Sequence, residues 1–203
     1  MATDFELLDA WQAGDKAAGN VLLERHFDSL YRFFDRKVHV DVADLVQNTF
    51  LACVESKERF ARTSSFRTYL FSIARRKLYD HWRTRSRRPE ADMSTTSVVD
   101  MGMTPSAIHA GKQEQRLLLE ALRTIPLESQ LLLELHYWEG LTGPQLAETF
   151  EIPEGTVRSR LAKARAALEA QLRRLAQSPA LLASTMSDLD GWAKSLRAMR
   201  SGA

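Results

Sequence analysis

Apolar residues recur every three or four positions along almost the whole chain, and no stretch alternates with period two. Leu22, Leu23, Phe27, Leu30, Tyr31 and Phe34 form one such series, Leu45, Val46, Phe50 and Val54 a second, and Phe66, Leu70, Ile73, Ala74 and Leu78 a third. That spacing lays one apolar stripe along each helix and leaves no candidate β-strand, so the expected fold class is all-α. The periodicity lapses between residues 89 and 111, where PEADMSTTSVVDMGMTPSAIHA is rich in Ser, Thr, Met and Pro. Such a segment reads as a flexible linker between two small helical domains, 1–88 and 112–177. After Ser178 a further stripe begins, with Leu182, Met186, Leu189, Trp192, Leu196 and Met199 spaced by three or four and broken by Gly191. Ser178 and Pro179 suit the N-cap and first-turn positions of a C-terminal helical tail over 178–203. That tail either extends the core of the second domain or docks on one of the domains and controls access to it.

With 44% hydrophobic and 27% charged residues over 203 positions, the chain has enough apolar material for one modest core or two small ones. No apolar run is long enough to span a bilayer, and the acidic opening MATDFELLDA lacks the order of a secretory signal, so no membrane insertion and a cytoplasmic location are expected. The single cysteine, Cys53, lies within an apolar-periodic run and reads as a small buried hydrophobe. His26, His39, His81, His109 and His136 are scattered, and there is no glycine-rich phosphate loop. No catalytic, metal or cofactor site is therefore expected, and the chain does not read as an enzyme.

The net charge of +2 hides a strongly uneven arrangement. Arg75, Arg76, Lys77, Arg83, Arg85, Arg87 and Arg88 crowd one short stretch with Asp80 as its only acid, and a second basic stripe runs from Arg158 to Arg174. The second stripe belongs to LTGPQLAETFEIPEGTVRSRLAKARAALEAQL, which has the grammar of a helix-turn-helix. Thr142 and Pro144 start a short helix, Leu146, Ala147 and Phe150 face inward, and Pro153 and Gly155 punctuate a turn. A second helix then buries Val157, Leu161, Ala164 and Leu168, leaving Arg158, Ser159, Ala162, Lys163 and Arg165 outward. A helix of this kind presents its first residues to base edges in the DNA major groove. The first stripe is different, because Tyr69, Tyr79 and Trp82 are interleaved with arginines along SFRTYLFSIARRKLYDHWR. Aromatic rings beside cations suit an unpaired strand, whose bases stack on the rings while its phosphates follow the charges.

Three segments in this order resemble the extracytoplasmic-function (ECF) group of bacterial RNA polymerase sigma factors. DVADLVQNTFLACVESKERF is similar to the clamp-gripping helix of the family's region two, SFRTYLFSIARRKLYDHWR to its promoter-melting helix, and YWEGLTGPQLAETFEIPEGTVRSRLAKARAAL to its region four. The resemblance implies a promoter-recognition subunit whose partners are core RNA polymerase and promoter DNA, with room for an anti-sigma protein. It assigns polymerase contacts to Asp44, Leu45, Gln47, Asn48 and Phe50. It assigns the non-template strand of the minus-ten element to Phe66, Thr68, Tyr69, Ser72, Arg75, Arg76, Tyr79 and Arg83. The minus-thirty-five duplex falls to Thr156, Arg158, Ser159, Ala162 and Lys163, with Arg160 and Arg165 nearer phosphates or the domain core. The linker would thread the polymerase channel. Asn48 stands where the family mostly has glutamate, Tyr69 where it has tryptophan and Arg76 where it often has asparagine, so the promoter sequence does not transfer with the resemblance.

Overall fold

The structure is a computed structural model that describes residues 2–35, 37–38, 41–60, 64–85, 92–99 and 113–187. It divides into two compact units, residues 1–89 with 148–151 and residues 90–147 with 152–203. Among the described residues every regular element is helical.

In the first unit α1 (Asp4–Gln12), α2 (Lys16–Asp35), α3 (Val42–Ser56) and α4 (Phe66–Arg85) pack in sequence, with a 3-10 turn over Lys57–Arg59. A capping box starts α1: the Glu6 amide donates to Thr3 Oγ1 at 3.3 Å, and the Thr3 amide donates to Glu6 Oε2 at 2.6 Å. Asp15 starts α2 by accepting from the Ala17 and Ala18 amides at 2.9 and 3.1 Å. Between these helices the backbone turns at Gly14, whose φ of 106° suits glycine. Trp11 of α1 lies flat against Gly19 of α2, so closely that a Cβ on Gly19 would sit 2.5 Å from the indole. Asp4 fastens the other end of α1, accepting from Arg25 Nη1 at 2.6 Å and meeting His26 Nε2 at 2.7 Å. The core beneath is formed by Leu8, Leu22, Leu30, Phe34, Phe66, Leu70, Phe71, Ala74 and Leu78, all fully or almost fully buried. Cys53 is buried with them, and burial pushes its thiol up to about 12, so it is an inert packing residue as expected.

The second unit contains α5 (Gln113–Thr124), α6 (Leu127–Leu133), the first five residues of α7 (Gly143–Phe150), α8 (Glu154–Leu175) and α9 (Pro179–Ser187). α6 runs directly into one π turn, Glu134–Trp138. Its core joins Leu117, Leu118, Ala121 and Leu122 of α5 to Ala164, Leu168 and Leu172 of α8. The tail helix α9 is capped by Ser178, whose Oγ accepts from the Leu181 amide at 3.2 Å, and Leu181, Leu182 and Met186 extend this same core. Leu189, Trp192, Leu196 and Met199 lie outside the described residues.

Part of the expected flexible linker is folded. Residues 92–99 form a strap on the second unit, with Val98 fully buried and Ser97 bridged antiparallel to Pro126. The periodicity argument missed it because a single buried β-branched residue with backbone hydrogen bonds leaves no repeating pattern.

Two outcomes follow for the first unit. Gly19→Ala should destabilise it by about 1–3 kcal/mol in urea unfolding, since Trp11 must move to admit the methyl group. Acid should also weaken it. Burial lowers the pKa of His26 against the pull of Asp4, with the charges of Arg67 and Arg25 acting in the same direction as burial. Burial raises that of Asp4, but Arg25 and His26 outweigh it and hold the carboxyl below its ordinary value. Both groups therefore bind protons more readily when unfolded, and stability falls as pH drops below the ordinary histidine range and on into the carboxylate range. Denaturation midpoints between pH 8 and pH 4 check this, and His26→Gln should remove the part of the slope nearest pH 6.

Candidate polymerase-binding and DNA-binding surfaces

The first candidate surface lies on α2 and α3. Asp44, Gln47 and Asn48 are exposed and Phe50 is half-buried, whereas Leu45 is buried in the core and fixes the helix from inside. Beside them Phe27, Tyr31, Val46, Phe50, Leu51 and Val54 line an open groove of about 420 Å³. Phe27 is 44% exposed, Leu51 52% and Val54 40%. Phe27 and Val54 continue the apolar stripes of their helices, but Leu22, Leu30 and Phe34 fill the buried side of α2 and Val46, Thr49 and Cys53 that of α3. Phe27 instead leans on Tyr31 and Phe50, with ring centroids 6.1 and 6.4 Å apart. Contiguous exposed apolar side chains of this kind mark an interaction surface.

The second surface is the outer face of α4. Ser65 starts the helix: its Oγ accepts from the Thr68 amide at 3.1 Å and lies 2.8 Å from Thr68 Oγ1. Phe66 and Thr68 point inward and are buried, as is Trp82, so these three support the helix rather than present themselves. Tyr69, Ser72, Arg76, Tyr79 and Arg83 are spaced three, four, three and four and share the opposite face. Tyr69 stacks against Phe60 at 4.7 Å, and the Arg75 guanidinium lies over the Tyr79 ring at 4.8 Å. Arg76 and Arg83 are exposed. The face therefore offers two half-buried rings and several cations along one line.

The third surface is the helix-turn-helix of α7 and α8. Thr142 takes the N-cap position of α7, where its amide donates to Gln145 Oε1 at 2.8 Å. The turn itself is made by Glu151, whose φ of 57° is left-handed, and the Ile152 amide closes it on the Ala147 carbonyl at 3.0 Å. Pro153 is the N-cap of α8 and Gly155 lies inside its first turn, so neither is the bend expected of them. Val157, Ala164 and Leu168 are buried, and Arg158, Ser159, Ala162 and Lys163 stand exposed together in the first half of the helix. Thr156 is half-buried, and its carbonyl accepts from Ser159 Oγ at 2.9 Å. Two arginines are held by the fold. Arg160 Nη1 is 2.6 Å from Glu128 Oε1 of α6, and Arg165 Nη1 donates to the Tyr137 hydroxyl at 3.2 Å. Neither partner is legible locally, because each lies about thirty residues upstream.

Two family profiles match these surfaces. Sigma-70 region 2 covers residues 22–88, with the groove and α4, and sigma-70 region 4 covers residues 115–168, with the helix-turn-helix. The chain belongs to the sigma-70 family. Curated relatives place it in the ECF group. The ECF RNA polymerase sigma-E factor of Haemophilus influenzae is 29% identical over 183 residues, covering 85% of this chain and 97% of the relative. That of Escherichia coli K12 is 26% identical over 85% of this chain and 96% of the relative. The fold agrees with that of CnrH, solved with the cytosolic domain of CnrY, at a TM-score of 0.63 and 24% identity over 85% of this chain and 99% of CnrH. It also agrees with RpoE, solved with the anti-sigma factor NepR from Bartonella quintana, at 0.60 and 22% over 74% and 94%. This ECF sigma factor is thus a transcription initiation factor that directs RNA polymerase to promoters. Among its described residues no cluster of His, Cys, Asp or Glu is placed to hold a metal ion. No described helix is long and apolar enough to cross a membrane.

Proposed function

We propose that the sigma factor divides promoter recognition among these three faces and supplies binding energy alone, leaving the chemistry to the polymerase. The apolar groove of α2 and α3, with Asp44, Gln47 and Asn48 beside it, takes the polymerase clamp. Phe27, Leu51 and Val54 are its apolar anchors, and Leu45 holds α3 in register from within. Tyr69, Ser72, Arg75, Arg76, Tyr79 and Arg83 hold the separated strand of the minus-ten element, on a helix braced by Phe66 and Thr68. Arg158, Ser159, Ala162 and Lys163 read the minus-thirty-five duplex, with Thr156, Arg160 and Arg165 positioning α8 and meeting phosphates. The observation that carries this division is the aromatic and cationic stripe of α4, for which a regulator confined to duplex DNA has no use.

Joining a duplex reader and a single-strand reader on one polymerase raises the effective concentration of each, so modest contacts at both sites combine into a specific complex. Opening is favoured because only the melted strand can stack on Tyr69 and Tyr79. The chain works as a cytoplasmic factor and not as an enzyme. An anti-sigma protein is a further partner, supported by the structure of RpoE in complex with the anti-sigma factor NepR.

Two measurements test the assignments. Leu51→Asp combined with Val54→Asp should weaken binding to core polymerase about tenfold or more while leaving the melting temperature unchanged, because both side chains are exposed. Unchanged affinity would remove the groove from the interface. Arg158→Ala should lower discrimination at the minus-thirty-five element by about 1–3 kcal/mol. An equal loss on every DNA sequence would instead make Arg158 a phosphate contact.

A further inference from the structure

The folded strap and the reading helix of the second unit are connected through α6. The first amides of α6 have no partner within their own helix, and the strap supplies two. The Leu127 amide donates to the Thr96 carbonyl at 2.9 Å and the Glu128 amide to the Met93 carbonyl at 3.0 Å. The strap is itself set by Asp92, whose carbonyl accepts from the Thr95 and Thr96 amides and whose side chain accepts from the Ser94 amide at 2.8 Å. At its far end the Val99 amide donates to the Arg123 carbonyl at 3.3 Å, and Val98 is fully buried. Glu128 is therefore gripped at its backbone by the segment that leads in from the first unit. Its carboxylate grips Arg160, with its side chain 17% exposed and that of Arg160 38%.

Arg160 follows Ser159 directly and lies within the run of reading positions on α8. The burial of Val157, Ala164 and Leu168 sets which way that helix faces, but apolar packing tolerates a small roll about the axis. A roll of about 20° moves a side-chain atom about 6 Å from the axis by roughly 2 Å, enough to break a bidentate base contact. A charge-assisted hydrogen bond from a capped, packed helix resists such a roll.

We propose that Glu128 is a positioning residue for minus-thirty-five recognition: held by the strap of residues 92–99, it pins Arg160 and sets the rotation of the reading face. Discrimination then depends on residues 92–99, which lie outside the helix-turn-helix. This rests on the assignment of α8 to the minus-thirty-five duplex.

The test uses the full chain with core polymerase and a promoter fragment selected from random sequence with that complex. Affinity for this fragment is compared with affinity for fragments carrying single changes in the minus-thirty-five element. Glu128→Gln should reduce discrimination about fivefold with core affinity unchanged. Val98→Ala should cause a smaller loss, and combining it with Glu128→Gln should add nothing, since both act through one contact. Additive losses would disconnect the strap from Glu128 and overturn the proposal. Should Glu128→Gln fail to fold, Glu128→Asp, which keeps the charge and shortens the reach to Arg160, carries the same expectation. If Arg158→Ala lowers discrimination and Glu128→Gln does not, the positioning role is wrong and the reading of α8 stands. If neither does, the reading of α8 fails and the positioning role fails with it.

Discussion

Everything this sigma factor presents to its partners is the reverse side of a buried apolar stripe. A helix turns 3.6 residues at a time, so fixing which positions enter the core fixes which ones leave it. On α4 the fully buried Leu70, Ala74 and Leu78 turn Tyr69, Arg76 and Tyr79 outward. On α8 Val157, Ala164 and Leu168 do the same for Arg158, Ser159, Ala162 and Lys163. Burying each leucine or valine contributes about 1.5–3 kcal/mol, while an exposed arginine costs almost nothing where it stands. The outward residues can therefore be replaced without disturbing the helix that carries them.

That coupling is why the faces of α4 and α8 were legible in the sequence. The stripes Phe66, Leu70, Ile73, Ala74, Leu78 and Val157, Ala164, Leu168 are all buried, and the exposed arginines follow by elimination. Periodicity is blind to whether a stripe is covered. Phe27 and Val54 satisfy the helical pattern as well as Leu22 and Cys53 do, yet among the described residues of the first unit they stay 44% and 40% exposed, and they line the groove instead. Family likeness erred in the opposite direction at Leu45, Phe66 and Thr68. A shared motif records positions that hold a helix in place as readily as positions that touch a partner, and these three are interior.

What the sequence concealed was long-range and singular. The pairs of Arg160 with Glu128 and of Arg165 with Tyr137 each join residues about thirty positions apart, and neither is part of a repeat. The strap rests on one buried valine and a few main-chain hydrogen bonds. Its Ser and Thr content reads as linker because those residues serve turns, and here they serve one that the core of the second unit happens to hold. Likewise the bend before α8 falls on Glu151, a residue with no special preference for left-handed backbone, while Pro153 and Gly155 begin the helix. The tail is a mixed case: a capping serine and a short stripe announced α9 but left open what it would pack against, and Leu182 and Met186 of that stripe, with Leu181, pack on the core of the second unit.

In the proposed role α4 holds a separated strand of promoter DNA, and the chain opens the duplex only as part of polymerase. The most direct measurement places a fluorescent base analogue in the non-template strand of the minus-ten element of a selected promoter and follows it with the chain alone, core alone and both together. A rise in fluorescence confined to the combined sample, and lost when Tyr69 and Tyr79 are both replaced by alanine, is the expected result. Tight duplex binding by the chain alone, with no opening when core is added, would contradict the account and leave a helix-turn-helix regulator in its place.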